Sequence, residues 1–114
     1  MIKNLGGRKL GRTSSHRRAL LRNMTTSLIL HERLATTAVK AKELRTFAEK
    51  IITQAKKGNH REVRRVIKDK TAYKKLFDVL AQRYQDRAGG YTRIVRMDPR
   101  TGDNAPQGLV QLVS

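Results

Sequence analysis

Tyr91-Thr92-Arg93-Ile94-Val95-Arg96-Met97 is the stretch on which the fold turns, because here the period of the chain changes. Its side chains follow the two-residue alternation of a half-buried strand. The segment 98–108 that follows, Asp-Pro-Arg-Thr-Gly-Asp-Asn-Ala-Pro-Gln-Gly, is rich in turn formers, and Leu109-Val110-Gln111-Leu112-Val113 closes the chain as a second β-rich run. Two strands joined locally are most simply antiparallel. They need a helix or a third strand for stability, and residues 33–37 can supply one.

Upstream, the pattern is helical from residue 15 to 86. Ser14 or Ser15 can cap a first helix with Leu20, Leu21, Met24 and Leu28 at helical spacing, and this period fades near Ile29. The segment 31–37 reads as an extended connection or short strand ending in a capping threonine. A long helix is expected from about Ala38 to Lys57, with Val39, Leu44, Phe47, Ala48, Ile51 and Ala55 on its buried stripe and Gly58 as its stop. Asn59 and Glu62 resemble a capping box for a short helix carrying Val63, Val66 and Ile67. A further helix is expected from near Thr71 to Gly89-Gly90, with Tyr73, Leu76, Phe77, Leu80 and Tyr84 on its buried side. The fold class is therefore α+β: about four helices packed on a small, two- or three-stranded, mainly antiparallel sheet. Residues 1–15 form a basic N-terminal arm, and residues 16–114 a single two-layer domain.

Charge narrows the function. The chain carries 26 Lys+Arg against 9 Asp+Glu, a net charge of +17. Self-repulsion of that size strains a small domain, and a polyanion relieves it. The cations are also segregated: Lys3, Arg8, Lys9, Arg12, Arg17, Arg18 and Arg22 all precede the first acid, Glu32. Gly6, Gly7 and Gly11 leave the arm's backbone free. Such an arm is either an interaction segment or a disordered solubilising tail, and disorder does not exclude RNA binding.

Where the arm meets the first helix, Arg12-Thr13-Ser14-Ser15-His16-Arg17-Arg18 combines hydroxyls with guanidiniums at a helix N-terminus. Exposed N–H groups and the helix dipole favour an anion there, and arginine grips a phosphate with two parallel bonds. An ordinary N-cap beside solvated arginines is the competing reading. Arg18 and Arg22 lie four apart, off the apolar stripe. Further candidate phosphate contacts are Lys40 and Lys42 at the start of the long helix, Lys56, Lys57 and Arg61 around Gly58, and Arg93 and Arg96 on opposite faces of their strand. Aromatic residues are only 4% of the chain, and Tyr73, Phe77, Phe47 and Tyr84 fall at core spacing. This counts against base stacking and membrane docking, leaving recognition of RNA shape and backbone.

Catalysis, cofactors and metals are not expected. There is no cysteine, and His16, His31 and His60 lack metal-site spacing. The acids sit near cations at helical distances, Glu43 with Lys40, Glu49 with Arg45, and Asp78 with Lys74 or Lys75, as surface ion pairs do. Gly6-Gly7-Arg8-Lys9-Leu10-Gly11 lacks the strand and the Gly-Lys-Ser/Thr ending of a phosphate loop. No apolar run follows the basic start, so the arm is read as mature protein rather than a secretory signal. From the residues alone, RNA binding stands against a nucleoid-type or regulatory nucleic-acid-binding protein.

The run Gly7-Arg8-Lys9-Leu10-Gly11-Arg12-Thr13-Ser14-Ser15-His16-Arg17, with Arg22-Asn23-Met24 and His31-Glu32-Arg33, closely resembles the bacterial large-subunit ribosomal protein family L-seventeen. Thr36-Thr37, Lys40-Ala41-Lys42-Glu43-Leu44-Arg45, Ala48-Glu49-Lys50 and Gly89-Gly90-Tyr91-Thr92-Arg93-Ile94 continue the likeness along essentially the whole chain. The resemblance implies a structural, cytoplasmic ribosomal component of α/β two-layer fold that binds large-subunit ribosomal RNA near the nascent-chain exit. It implies neighbouring large-subunit proteins as partners, and neither membrane nor small-molecule substrate. It also places Arg8, Lys9, Arg12, Ser14, His16 and Arg17 at the RNA contact. The chain departs from the family at its first five residues and at Leu30, where relatives often carry arginine.

Overall fold

The computed structural model describes residues 14–113. Helix α1, Ser14–His31, leads into strand β1, Arg33–Thr37, and then into the long helix α2, Ala38–Lys56. Helix α3, His60–Val66, is short. Helix α4 begins as Lys70–Lys75, widens into a π-helical turn at Leu76–Leu80 and finishes as Ala81–Arg83. Strands β2, Thr92–Met97, and β3, Gln107–Leu112, complete the fold. The expected α+β arrangement is thus observed.

The sheet order is β1-β3-β2, antiparallel throughout, so the last strand of the chain lies in the middle. Leu34 and Ile94 both register with Val110 on the inner face. On the outer face, Arg33 and Arg93 flank Gln111, while Ala35 and Val95 flank Leu109. Helix α2 crosses the inner face close to β3. A Cβ on Gly108 would meet Ile94 Cγ2 at 3.2 Å and Ala41 Cβ at 3.4 Å, so a larger residue there would have to push these neighbours back by a few tenths of an ångström.

The core lies between the helices and this inner face. Ala41, Leu44, Ala48, Ile51, Ile52 and Ala55 form the buried stripe of α2. Val39, expected on that stripe, is exposed: at about 100° per residue it points nearly opposite to Ala41. Phe47 is only partly buried. The fading of α1 near Ile29 also needs correction. The helix continues to His31 with Leu28 and Ile29 both buried, because α2, α4 and the sheet cover it from more than one side. Among the described side chains of α1, the buried polar one is Thr25, which donates to the Leu21 carbonyl at 2.7 Å.

One helix start differs from expectation. Asn59 precedes α3 but makes no cap bond; its amide donates to Gln54 Oε1 at 2.9 Å, and Glu62 pairs with Arg65 at 3.4 Å. Helix α4 starts at Lys70, next to the expected Thr71, with Asp69 as its cap, accepting from the Ala72 N–H at 2.9 Å. It also ends at Arg83, well before Gly89-Gly90. Gly58 does end α2, in the left-handed region at φ 74°.

Glu32 holds the junction between α1 and β1. It is a non-glycine residue at φ 63°, and its carbonyl accepts from the Leu112 N–H at 2.9 Å. Its carboxylate accepts from Arg83 at 2.7 and 3.2 Å and pairs with Lys75 at 3.0 Å. Bonds from Arg83 and Lys75 outweigh partial burial and lower its pKa to about 2. A folded-state value below the ordinary carboxylate value of roughly 4.3 means a contribution that is complete above that value and is lost as pH falls through about 2. Glu32→Gln is therefore expected to cost about 1 kcal/mol at neutral pH, allowing for partial exposure, and to flatten the acid limb of a denaturation profile. An unchanged acid limb in urea melts from pH 5 to 2 would show that the network carries no net stability.

Candidate nucleic-acid interface

The described part of the arm junction is helical from Ser14, so the last two residues of the segment assigned to the arm already belong to α1. Lys3, Arg8, Lys9, Arg12 and Thr13 lie outside the described residues. Ser15, His16 and Arg18 are exposed, while Arg17 and Arg22 are half-buried. No acid stands in the first turn of α1, so its dipole is left to an external anion or to groups of this chain.

Arg22 does not stand alone. With Asn23, Thr26 and Ser27 of α1 it lines a groove of about 550 Å³, whose other wall is Val66, Lys68 and Asp69 from the α3–α4 connection. Lys68 also belongs to an adjoining pocket with Arg64, Ile67, Lys70 and Tyr73. Lys70 in turn belongs to a third depression, along α4, with Lys74 and Lys75. The shared lysines make the three concavities one strip that runs from α1 over the connection and onto α4. Its cations are Arg22, Arg64, Lys68, Lys70 and Lys74; of its two carboxylates, Asp69 accepts from the Ala72 N–H and Asp78 lines the depression along α4. A row of cations beside neighbouring grooves is the footprint expected for a phosphate backbone.

Sequence reading missed all of this strip except Arg22. The signal was present: residues 61–75 hold Arg61, Arg64, Arg65, Lys68, Lys70, Lys74 and Lys75 against only Glu62 and Asp69. What the sequence could not supply was the packing of α1 beside α4 that brings Arg22 and Lys68 to one groove.

The remaining candidates scatter. Lys42 is exposed and Lys40 half-buried at the start of α2. Lys57 and Arg61 are exposed around the Gly58 turn. Lys56 has internal work. Its ammonium donates to the Tyr91 hydroxyl at 2.9 Å and to the Arg87 carbonyl, and lies 4.9 Å from the Tyr91 ring centroid. Burial opposes ionisation of that phenol, yet the bonds from Lys56 and Thr53 hold its pKa below the ordinary tyrosine value. Arg93 lies on the outer face in register with Gln111 and, through it, with Arg33; Arg96 sits on the other face, in register with Gly108.

The expected surface pairs of Glu43, Glu49 and Asp78 are not among the ion pairs of the described residues. Glu49 instead accepts from the Thr92 N–H at 3.2 Å and its hydroxyl at 2.9 Å, joining α2 to β2. Among the described residues no cluster of His, Cys, Asp or Glu fits a metal ion, and no helix is long and apolar enough to cross a membrane.

A family model described as ribosomal protein L17 matches residues 20–113. The chain is 57% identical over 113 residues to the large ribosomal subunit protein bL17 of Elusimicrobium minutum, covering 99% of both chains. It is 52% identical to the bL17 protein of Trichlorobacter lovleyi, covering 99% of this chain and 94% of that one. It is also 51% identical to the large ribosomal subunit protein bL17m of Schizosaccharomyces pombe, of which the match spans 58%. With the family's pattern running through the helices, the sheet and the α1 groove, the chain belongs to the ribosomal protein L17 family.

Proposed function

We propose that this protein is a structural constituent of the large ribosomal subunit, not an enzyme, and that it binds large-subunit ribosomal RNA through backbone phosphates. The observation that carries this reading is the 57% identity over nearly the full length of a bL17 protein. The net charge of +17 and the cationic strip from Arg22 to Lys74 supply the chemistry. Residues 1–13 and α1 form the principal contact, with Lys3, Arg8, Lys9, Arg12, Thr13, Ser14, Ser15, His16, Arg17, Arg18 and Arg22 facing phosphate. Lys40, Lys42, Lys57, Arg61, Arg93 and Arg96 extend it, whereas the Lys56 ammonium is engaged with Tyr91 and the Arg87 carbonyl. The working location is the cytoplasmic ribosome, on the side near the nascent-chain exit, with other large-subunit proteins as neighbours.

The test is co-sedimentation. The tagged chain is expected to travel with the large subunit through a gradient at moderate salt. Running free, or with DNA, while ribosomes stay intact would overturn the reading. Deleting residues 1–13 removes Lys3, Arg8, Lys9 and Arg12. The slope of log affinity against log salt should then fall by roughly three, at 0.7–0.9 per lost phosphate contact. Circular dichroism should keep its helical signal. An unchanged slope would place the contact elsewhere.

A further inference from the structure

The corner between α3 and α4 holds a feature that backbone binding leaves unused. A pocket of about 240 Å³ lies there, lined by Arg64, Ile67, Lys68, Lys70 and Tyr73. Its floor is apolar, since Ile67 is buried in the core. Tyr73 is held in place from behind: its hydroxyl meets His60 Nδ1 at 2.6 Å, and its ring lies 4.9 Å from Phe77, on which His60 is stacked at 4.0 Å. The Arg64 guanidinium stands 5.8 Å from the Tyr73 ring centroid. Tyr73 and Phe77, expected in the core, are only partly buried. The scarcity of aromatic residues therefore conceals one local aromatic cluster, and it sits inside the cationic strip.

We propose that this pocket takes a single unpaired nucleobase of the bound RNA, stacked against Tyr73 and Arg64, with its flanking phosphates on Lys68 and Lys70. The proposal rests on the RNA-binding function above and deepens it. A small concave site with an apolar floor, a fixed aromatic wall and a guanidinium suits a planar ring system, and splayed RNA bases stack on such surfaces. The rim fits the same ligand. Its charged groups are all cations, and Asp69, between Lys68 and Lys70 in the chain, accepts from the Ala72 N–H. Lys68 is shared with the Arg22 groove, so a backbone following that groove passes the mouth of the pocket.

The experiment is base-selective chemical probing of large-subunit ribosomal RNA bound to the full chain, with dimethyl sulfate and a carbodiimide so that all four bases are covered. Wild type is compared with Tyr73→Phe, Tyr73→Leu and the double variant Arg64→Ala/Lys68→Ala. One unpaired base protected by wild type is expected to regain reactivity with Tyr73→Leu and with the double variant, and to stay protected with Tyr73→Phe, which keeps the ring. Affinity should fall about tenfold for Tyr73→Leu. Other protections should persist. The double variant changes exposed side chains only, so it decides the matter if Tyr73→Leu fails to fold. Identical base protections in wild type and the double variant would overturn the pocket while leaving RNA binding intact. Failure of wild type to bind the RNA at all would overturn the parent function as well.

Discussion

Replacing both Arg18 and Arg22 by glutamate is expected to lower affinity for large-subunit ribosomal RNA by about a hundredfold at 0.1 M salt. Each arginine that meets a phosphate releases condensed counterions, which contributes roughly 0.7–0.9 log units of affinity per tenfold dilution of salt. Two lost contacts give about 1.5 log units, and two new carboxylates beside phosphate add repulsion. The fold should survive: Arg18 is exposed, and Arg22 is half-buried at a groove rather than in the core. Leu21, Met24, Leu28 and Ile29, which hold α1 in the core, are left unchanged. The control is a charge-matched pair away from α1, Arg93→Glu with Arg96→Glu on the two faces of β2, which should cost less because those two side chains cannot share one partner surface. Equal losses from both pairs in a filter-binding titration would mean that net charge alone, not the α1 strip, sets affinity.

How far this surface could be read in the sequence depends on the range of the contacts that build it. The alternation at Thr92–Met97, the stop at Gly58 and the extended reading of 33–37 are local signals, and all three match the observed elements. Antiparallel pairing of β2 with β3 follows from their short connection. The placement of β3 between its partners is a non-local outcome. Strand β1 must leap from residue 37 to residue 107 to find it, and the Ala38 N–H to Pro106 carbonyl bond at 2.9 Å closes that junction. The same limit hid Glu32, which looks like a surface acid beside His31 until α4 folds back and delivers Arg83 and Lys75 to it. It also hid the α3–α4 corner. Tyr73 and Phe77 do fall at core spacing, but that helix has more apolar face than the core can cover, so its outer edge is left at the surface with His60.

The second large effect lies in the core, and it tests how narrowly the fold is balanced. Leu44 is fully buried on the core-facing stripe of α2, and Leu44→Ala is expected to cost about 3 kcal/mol. The neighbouring stripe is built largely of alanines, Ala41, Ala48 and Ala55, which bring α2 close to its partners. Small side chains on a close-packed face leave few rotamers able to swing into a cavity, so relaxation is limited and the penalty stays near the middle of the usual range. In a chain of this length that loss corresponds to a fall in Tm of roughly 10–20 °C. The charge sharpens the prediction. Self-repulsion at +17 acts on wild type and variant alike, so sulfate should raise both melting temperatures while the gap between them persists. Calorimetry at low and high sulfate separates the two contributions. A gap that closes with salt would mean that Leu44 is placed by electrostatic compaction, whereas a constant gap assigns its effect to packing.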